Sequence, residues 1–356
     1  MILSRYLMKA FLVRFVALLI GLVLFLQTLD LLATANEVLA GGGAPVETLL
    51  RYVMLRMPSL IETVAPLAGL LGALTALVVM AMNSEILAMR AAGRSVLSLM
   101  GGLVGVGLAL SISLFTFSEF VVVRANAELE EWSNTGYGAG AEVADGEDSW
   151  VMEGDTIIRV GHVLRDGTVL QDVRLFQQDD ASSVTNIYSI RLAIWENGQW
   201  NTVEMEQVGG SDINEAPPAW NTQLKPEHFV RFANHPNELS LNALQQYIGN
   251  VAIGSRPVYF YDTWLQQKIA GPIVLALMPL LAGIAAFAHH RQGSSVMTIV
   301  TGISIGFAFI VVDNILIAMG QFGSLPPLLA AWVPVALFGT IGIWIIFNFE
   351  HTGVRT

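Results

Sequence analysis

Six stretches of this chain are long and apolar enough to cross a bilayer, and they bound every other reading of it. A hydrocarbon core about 30 Å thick takes about 20 residues of α-helix at about 1.5 Å per residue. The stretches run roughly from Phe11 to Ala33, Ser59 to Met82, Val96 to Val123, Trp264 to Ala288, Val296 to Met319 and Leu328 to Phe349. Three precede and three follow a polar middle. The expected fold class is therefore an α-helical polytopic membrane protein, six transmembrane helices with an inserted all-β, jelly-roll-like domain. Residues 1–123 would hold spans one to three, 124–255 the insert with its flanking linkers, and 256–356 spans four to six. Composition agrees: 13% of residues are charged and mean hydropathy is +0.58, whereas a soluble domain is about 25% charged.

Charge is unevenly placed. Between Ala125 and Asp262 there are 21 acids and 7 bases, and elsewhere 8 acids and 11 bases. The net charge of −11 offers no basic surface for nucleic-acid phosphates. The absence of cysteine removes disulfides, thiolate metal sites and cysteine nucleophiles. Short loops rich in Lys and Arg stay on the cytoplasmic side. Arg5, Lys9 and Arg14, Arg90 and Arg94, Arg291, and Arg355 all fall on one side of the six-span arrangement. Both termini are then expected in the cytoplasm of a bacterial inner-membrane protein, with residues about 124–262 in the periplasm. Arg51 and Arg56 run against the bias without reversing it. The first apolar stretch is longer than the roughly 7–15 residues of a secretion signal, so it reads as a retained span although Ala33-Thr34-Ala35 resembles a cleavage site.

The insert alternates short β-branched and aromatic runs with turn signals. Val151–Met152, Thr156–Val163, Thr168–Gln177, Val184–Trp195 and Gln199–Val208 are predicted strands. Asn197-Gly198 suits a type I′ hairpin, whose two central residues need positive φ. An antiparallel sandwich or jelly roll fits this pattern. Glu128–Trp132 reads as a helical extension of span three, and Ser240–Asn250 as a short helix leading back to the membrane.

Chemistry-bearing motifs are few. GxxxxGK[ST] and HExxH are missing, and neither GxSxG nor a dinucleotide-binding glycine fingerprint occurs in a strand–helix context, so the chain is not expected to hydrolyse nucleotide itself. The six histidines are scattered apart from His289-His290, and adjacent helical residues do not face each other. No metal site is expected. The connector from Asn83 to Ser95 is the most informative segment: a Ser84-Glu85 helix start, good helix formers, and a stop at Gly93. Ile86, Leu87 and Met89 with Arg90 give this short helix an apolar and a charged face. It can fill a groove on a partner or rest on lipid headgroups.

Ser84–Gly93, following Leu70-Leu71-Gly72-Ala73-Leu74, resembles the coupling helix of the LptF/LptG permeases, the membrane subunits of the lipopolysaccharide-export ABC transporter. Four further stretches share the resemblance: Arg5-Tyr6, Tyr247–Pro272 with Trp264 and Lys268-Ile269, Val300–Phe307, and Leu325-Pro326-Pro327. The last two look more like the G-type subunit. The resemblance spans nearly the whole chain in order. It implies a permease subunit that extracts lipopolysaccharide from the inner membrane and passes it to a periplasmic bridge. It also implies a paired F-type permease and a dimeric cytoplasmic ATPase (LptB-like), which binds the ATP and Mg, leaving no cofactor in this chain. A single-span LptC-like bridge protein and a periplasmic LptA-like protein complete the implied assembly.

By the same resemblance, Ser84, Glu85, Ile86, Leu87, Met89 and Arg90 couple to the ATPase, with Glu85 meeting a base there. A surface ion pair contributes only about 0–1 kcal/mol, so Ile86, Leu87 and Met89 would supply most of the docking energy. Spans one and five would form a lateral gate between the two permeases, with Phe25 and Phe307 on those spans, and spans one, two and five would line the substrate cavity, for which the intramembrane acids Asp30, Glu62 and Asp313 are the candidate residues. A carboxylate deep in the bilayer costs roughly 2.5–3.5 kcal/mol on insertion scales, so such acids face a cavity, a partner or, near the edge, water. Lipopolysaccharide carries phosphates, yet Gln27-Thr28-Leu29-Asp30-Leu31 offers an acid where a base is expected. Arg51, Arg56, Arg124, Arg256 and Lys268, near the outer surface, are the substitute phosphate contacts. The competing functions are a mechanotransmission subunit that moves no lipid, and a non-transporting scaffold for a periplasmic β-domain.

Overall fold

The computed structural model describes residues 2–85, 88, 93, 95–134, 136–138, 149–153, 155–164, 167–178, 183–196, 198–210, 220, 222, 224–226, 229, 239–249, 257–288 and 295–352. The chain divides into two compact units. The helical unit comprises residues 1–36, 46–129 and 263–356, and the β unit residues 37–45 and 130–262.

All six expected spans are helices: α1 (Ile2–Ala40), α2 (Pro45–Met82), α3 (Val96–Phe117), and, after the insert, α6 (Val258–Ala288), α7 (Ser295–Gln321) and α8 (Pro327–Thr352). A five-residue π-helical segment, Ser118–Val122, joins α3 to α4 (Val123–Asn134). The helices outrun the apolar stretches. α1 has 39 residues and α2 has 38, about 57 Å at 1.5 Å per residue. Hydropathy marks only the part that lies in hydrocarbon, whereas the helices extend into polar sequence beyond it.

Two helices form the centre of this unit. Of the most apolar window of each helix, 67% is buried in α2 and 78% in α6, but only 22% in α1 and in α7. Leu70, Ala73, Leu74 and Leu77 of α2 pack with Leu275, Met278 and Leu281 of α6, and Leu103 of α3, Phe309 of α7 and Ile346 of α8 join the same core. α1 enters it through Leu7, Phe11 and Phe15. Gly72 is the point of closest approach, because a Cβ there would lie 3.0 Å from the Phe15 backbone. α7 approaches α2 elsewhere, with Gly302 against Leu74 and Gly306 against Leu70. Residues two apart on a helix point about 200° away from each other at 3.6 residues per turn. α1 at Gly72 and α7 at Leu70 therefore occupy opposite flanks of α2.

The β unit holds β1 (Ser149–Glu153), β2 (Thr156–Leu164), β3 (Val169–Gln178), β4 (Val184–Glu196) and β5 (Gln199–Gly210) in one antiparallel sheet with order β1-β2-β3-β4-β5. Each boundary lies within two residues of the strand read from sequence. The β4–β5 hairpin is present, with Glu196 paired to Gln199 and Gly198 at φ 82° between them. A short helix, α5 (Leu241–Gly249), follows the sheet.

In-and-out alternation of side chains along the strands breaks at one row. Pairings on either side place Gly161, Asp172, Arg191 and Glu204 opposite one another across β2 to β5. On β3, Leu170 is buried before the row and Val173 and Leu175 after it; on β4, Tyr188 and Ile190 are followed by Ala193. Odd and even positions exchange faces on both strands. Asp172 and Glu204 take left-handed φ of 49° and 54° while the pairing register is the same on both sides of the row, so the change of face is made by the backbone at the row itself, with no inserted residue, and the sheet turns a corner there. Ion pairs lie along the row: Arg159 to Asp172 at 3.1 Å and Arg191 to Glu204 at 2.8 Å. The Glu204 carboxylate raises the Arg191 pKa further above its already high value.

The two halves share one core of Ile158, Val160, Leu170, Val173, Ile190 and Trp200, covered by Trp220, Leu224 and Phe229. Trp200 Nε1 donates to the Leu224 carbonyl at 2.7 Å in this buried setting. Trp200→Phe keeps the ring and removes the donor, leaving a buried carbonyl unpaired at about 1–3 kcal/mol. Urea unfolding of the full chain followed by tryptophan emission should show the β transition at lower urea, and an unchanged midpoint would refute that role.

Candidate functional site

Two regions gather the side chains that the sequence singled out. The first is the connector after α2. Ser84 takes a left-handed φ of 59°, which ends α2, and its carbonyl accepts the Ala88 N–H at 3.0 Å to start a new turn at Glu85. At the far end Gly93 has φ 80°, and the Ser95 hydroxyl accepts the Ser98 N–H at 3.0 Å as the α3 N-cap. The segment thus lies between two firm stops. Ile86, Leu87, Met89 and Arg90 lie outside the described residues. The Glu85 carboxylate accepts weak, 3.5 Å hydrogen bonds from the Tyr6 hydroxyl and the Asn83 amide, so the start of α1 reaches the connector.

The second region is a polar layer at the opposite end of the helical unit. Glu62, Glu119, Lys268 and Asp313 fall roughly 27–35 Å along their own helices from the connector end, at 1.5 Å per residue. That is about one hydrocarbon thickness, which puts the layer at the edge of the bilayer core. Trp332 donates from Nε1 to Gln266 at 3.1 Å in the same layer, as interfacial tryptophans do.

Within this layer and in the helical turns beyond it, acids meet bases. Asp30 of α1 accepts the Tyr52 hydroxyl at 2.7 Å and Arg56 Nε at 3.3 Å, both from α2. Arg51 pairs with Glu128 at 3.0 Å. Lys268 of α6 pairs with Glu119 of the π segment at 3.2 Å, their side chains only 10% and 17% exposed. Glu62 hydrogen-bonds Ser118 and lies in the field of Lys268, while Asp313 hydrogen-bonds Gln267. Three of the five expected phosphate contacts, Arg51, Arg56 and Lys268, are thus already engaged by carboxylates. Arg124 is exposed on α4, and Arg256 lies outside the described residues. The acid at position 30 now has a physical account, because Tyr52 and Arg56 satisfy it from the neighbouring helix.

The gate residues divide into two groups. Asp30, Glu62 and Asp313 turn toward neighbouring helices, whereas Phe25 and Phe307 are 60% and 66% exposed on the outward faces of α1 and α7. α2 stands between α1 and α7, so these spans do not enclose a space by themselves. An apolar cleft of about 340 Å³ lies instead between α3, α6 and α8, lined by Leu97, Gly101, Ala276 and Gly339 among others.

Sequence reasoning missed Glu119, Ser118, Tyr52 and Gln27. Glu119 carried a usable signal, an acid inside the third apolar run. Gln27 is 6% exposed on α1, and both its side-chain polar atoms are without a hydrogen-bond partner among the described residues. Nothing local in the sequence marked Tyr52, whose role depends on facing Asp30.

Comparison with known proteins agrees with this architecture. The profile of the lipopolysaccharide export system permease LptF/LptG family matches residues 5–348. The chain belongs to the LptF/LptG family. Among its relatives, the lipopolysaccharide export system permease protein LptG of Escherichia coli (strain K12) is 23% identical over 307 residues, 83% of this chain and 84% of the relative. The protein of that name from Haemophilus influenzae (strain ATCC 51907 / DSM 11121 / KW20 / Rd) is 27% identical over 307 residues with the same coverage. The G-type character read from sequence accords with these names. An LptF/LptG permease is a membrane subunit of a transporter, and the six apolar helices make this one a multi-pass inner-membrane protein working with other components of the export system.

Proposed function

We propose that this chain is the G-type permease of an ABC exporter that takes lipopolysaccharide from the inner membrane and delivers it through the β unit toward a periplasmic bridge. The observation that carries the reading is that α1 and α7, the least buried of the four peripheral apolar helices at 22% each against 28% for α3 and α8, lie on opposite flanks of α2. A contiguous apolar face this large marks a lipid or protein contact. A second, F-type permease that brings its own α7 to this α1, and its α1 to this α7, closes two lateral gates around one cavity. Phe25 and Phe307 then face the entering acyl chains. Each methylene carried from membrane to bridge needs shelter worth about 0.8 kcal/mol, and the apolar side of the β sheet supplies it.

The energy comes from a dimeric cytoplasmic ATPase, LptB-like, that holds ATP and Mg; this chain carries no cofactor. Ser84 to Arg90 docks into that ATPase, with Glu85 setting orientation and Ile86, Leu87 and Met89 giving affinity. Both termini lie in the cytoplasm and the insert in the periplasm, where it meets LptC-like and LptA-like proteins. The headgroup phosphates meet Arg124, exposed on α4, Arg256, and the paired permease.

A photo-reactive residue at position 25 or 307, in the whole complex in membranes, should give lipopolysaccharide adducts that decline when ATP is supplied. Adducts at neither position would replace the transporter with a relay of ATPase motion, and ATP-independent lipid release would favour a scaffold.

A further inference from the structure

Four side chains from three elements meet at the insert end of the helical unit. Glu62 comes from α2, Ser118 and Glu119 from the π segment, and Lys268 from α6. The Lys268 ammonium is 3.2 Å from the Glu119 carboxylate. Glu62 is held by the Ser118 hydroxyl and feels the charge of the same ammonium. Two carboxylates from different helices therefore look to one cation, and both are largely buried at the edge of the hydrocarbon, where a charge without a partner is costly.

The backbone at this point can change register. Ser118 N–H is shared between the Leu114 and Phe115 carbonyls, and Val123 N–H reaches the Ser118 carbonyl five residues back. Such π segments are local insertions in an α-helix, found often at functional positions. Consecutive residues here address different neighbours, Ser118 facing Glu62 and Glu119 facing Lys268. Tightening this turn to α-helical bonding rotates Ser118 and Glu119 together. Glu119 leaves the ammonium as Ser118 leaves Glu62, which frees both remaining groups to pair with each other. Each arrangement joins the ammonium to one carboxylate, so the two are close in energy, as a bistable element requires.

We propose that Lys268 is a positioning residue that exchanges carboxylate partners, Glu119 in this conformation and Glu62 when the 118–122 segment changes register, latching α2, the π segment and α6 in two alternating arrangements during transport. The proposal rests on the permease reading above, in which a cytoplasmic ATPase docked at the connector supplies the energy. Glu62→Gln is nearly isosteric and keeps a hydrogen-bonding group for Ser118, but it cannot receive the ammonium as a counter-ion. It should trap the arrangement seen here. Lys268→Met would test the same contact but leaves two buried carboxylates unpaired and endangers folding.

The chain has no cysteine, so spin labels can be placed at single introduced cysteines at Phe120 and Ile269, which are 59% and 38% exposed. The complete complex is reconstituted in phospholipid vesicles containing lipopolysaccharide, without nucleotide and after trapping with ATP and vanadate. The unmodified complex should show two label distances whose proportions change with nucleotide. Glu62→Gln should show one distance in both conditions and release lipid at least tenfold more slowly, with unchanged yield and thermal midpoint. Glu62→Asp should restore release to within about threefold. Lipid release by Glu62→Gln within twofold of the unmodified complex, or a nucleotide-dependent change of distance in that variant, overturns the latch alone. An unmodified complex that releases no lipid overturns the permease reading and the latch together.

Discussion

Gly72→Val is expected to be the most damaging single substitution in the helical unit, because it separates α1 from α2. A Cβ at this position would meet the Cα and N atoms of Phe15 at 3.0 Å. Those are backbone atoms, so no rotamer change relieves the overlap and the helices must part. Leu7, Phe11 and Phe15, at 1%, 0% and 5% exposure, would lose their fit along the whole interface. Overpacking of this kind costs about 1–3 kcal/mol and occasionally more. Gly21→Val on α1, the partner helix of this contact, is the control, since nothing lies within 4 Å of its added Cβ. In detergent, the Gly72 variant should unfold several degrees below both the control and the unmodified chain. Equal midpoints for the two valine variants would show that α1 is not held at Gly72.

A charge reversal at Glu85 should have the largest effect on assembly, and the size of the effect separates two roles for that acid. If Glu85 orients the ATPase through one surface ion pair, Glu85→Ala loses about 0–1 kcal/mol, at most about fivefold in affinity. Glu85→Lys places like charges together, which costs several kcal/mol, on the order of a hundredfold or more. The Tyr6 hydroxyl and Asn83 amide hold the carboxylate near its present position, so the lysine cannot simply be tolerated as a mobile side chain at a chain end. ATPase recovered per permease in a pull-down, and ATP-driven lipid release, should fall in the order unmodified, alanine, lysine. Alanine and lysine variants that behave alike would remove Glu85 from the contact.

How far the site could be read in advance differs between residues. The connector was legible because its stops are local: Ser84 at φ 59°, Gly93 at φ 80° and the Ser95 cap follow from single residue types. Asp30, Glu62 and Asp313 were legible as acids inside apolar runs, but not as paired groups. Lys268 illustrates the limit. Read along the chain it is an interfacial base available to a phosphate; in the fold it is 10% exposed and bound to Glu119. Arg56 and Asp30, 26 residues apart, meet for the same kind of reason.

Six spans, five strands and their order along the chain follow from the sequence, because hydropathy, β-branching and turn chemistry act over a few neighbouring residues. The rotation of each helix about its axis does not, since it is chosen by the fit of distant surfaces such as Gly72 on Phe15 and Gly306 on Leu70. That rotation decided which acid faces which base and set α1 and α7 on opposite flanks of α2. The aligned corner at Gly161, Asp172, Arg191 and Glu204 likewise emerged only when four strands were paired, because a change of face at one residue gains meaning from the neighbour that makes the same change.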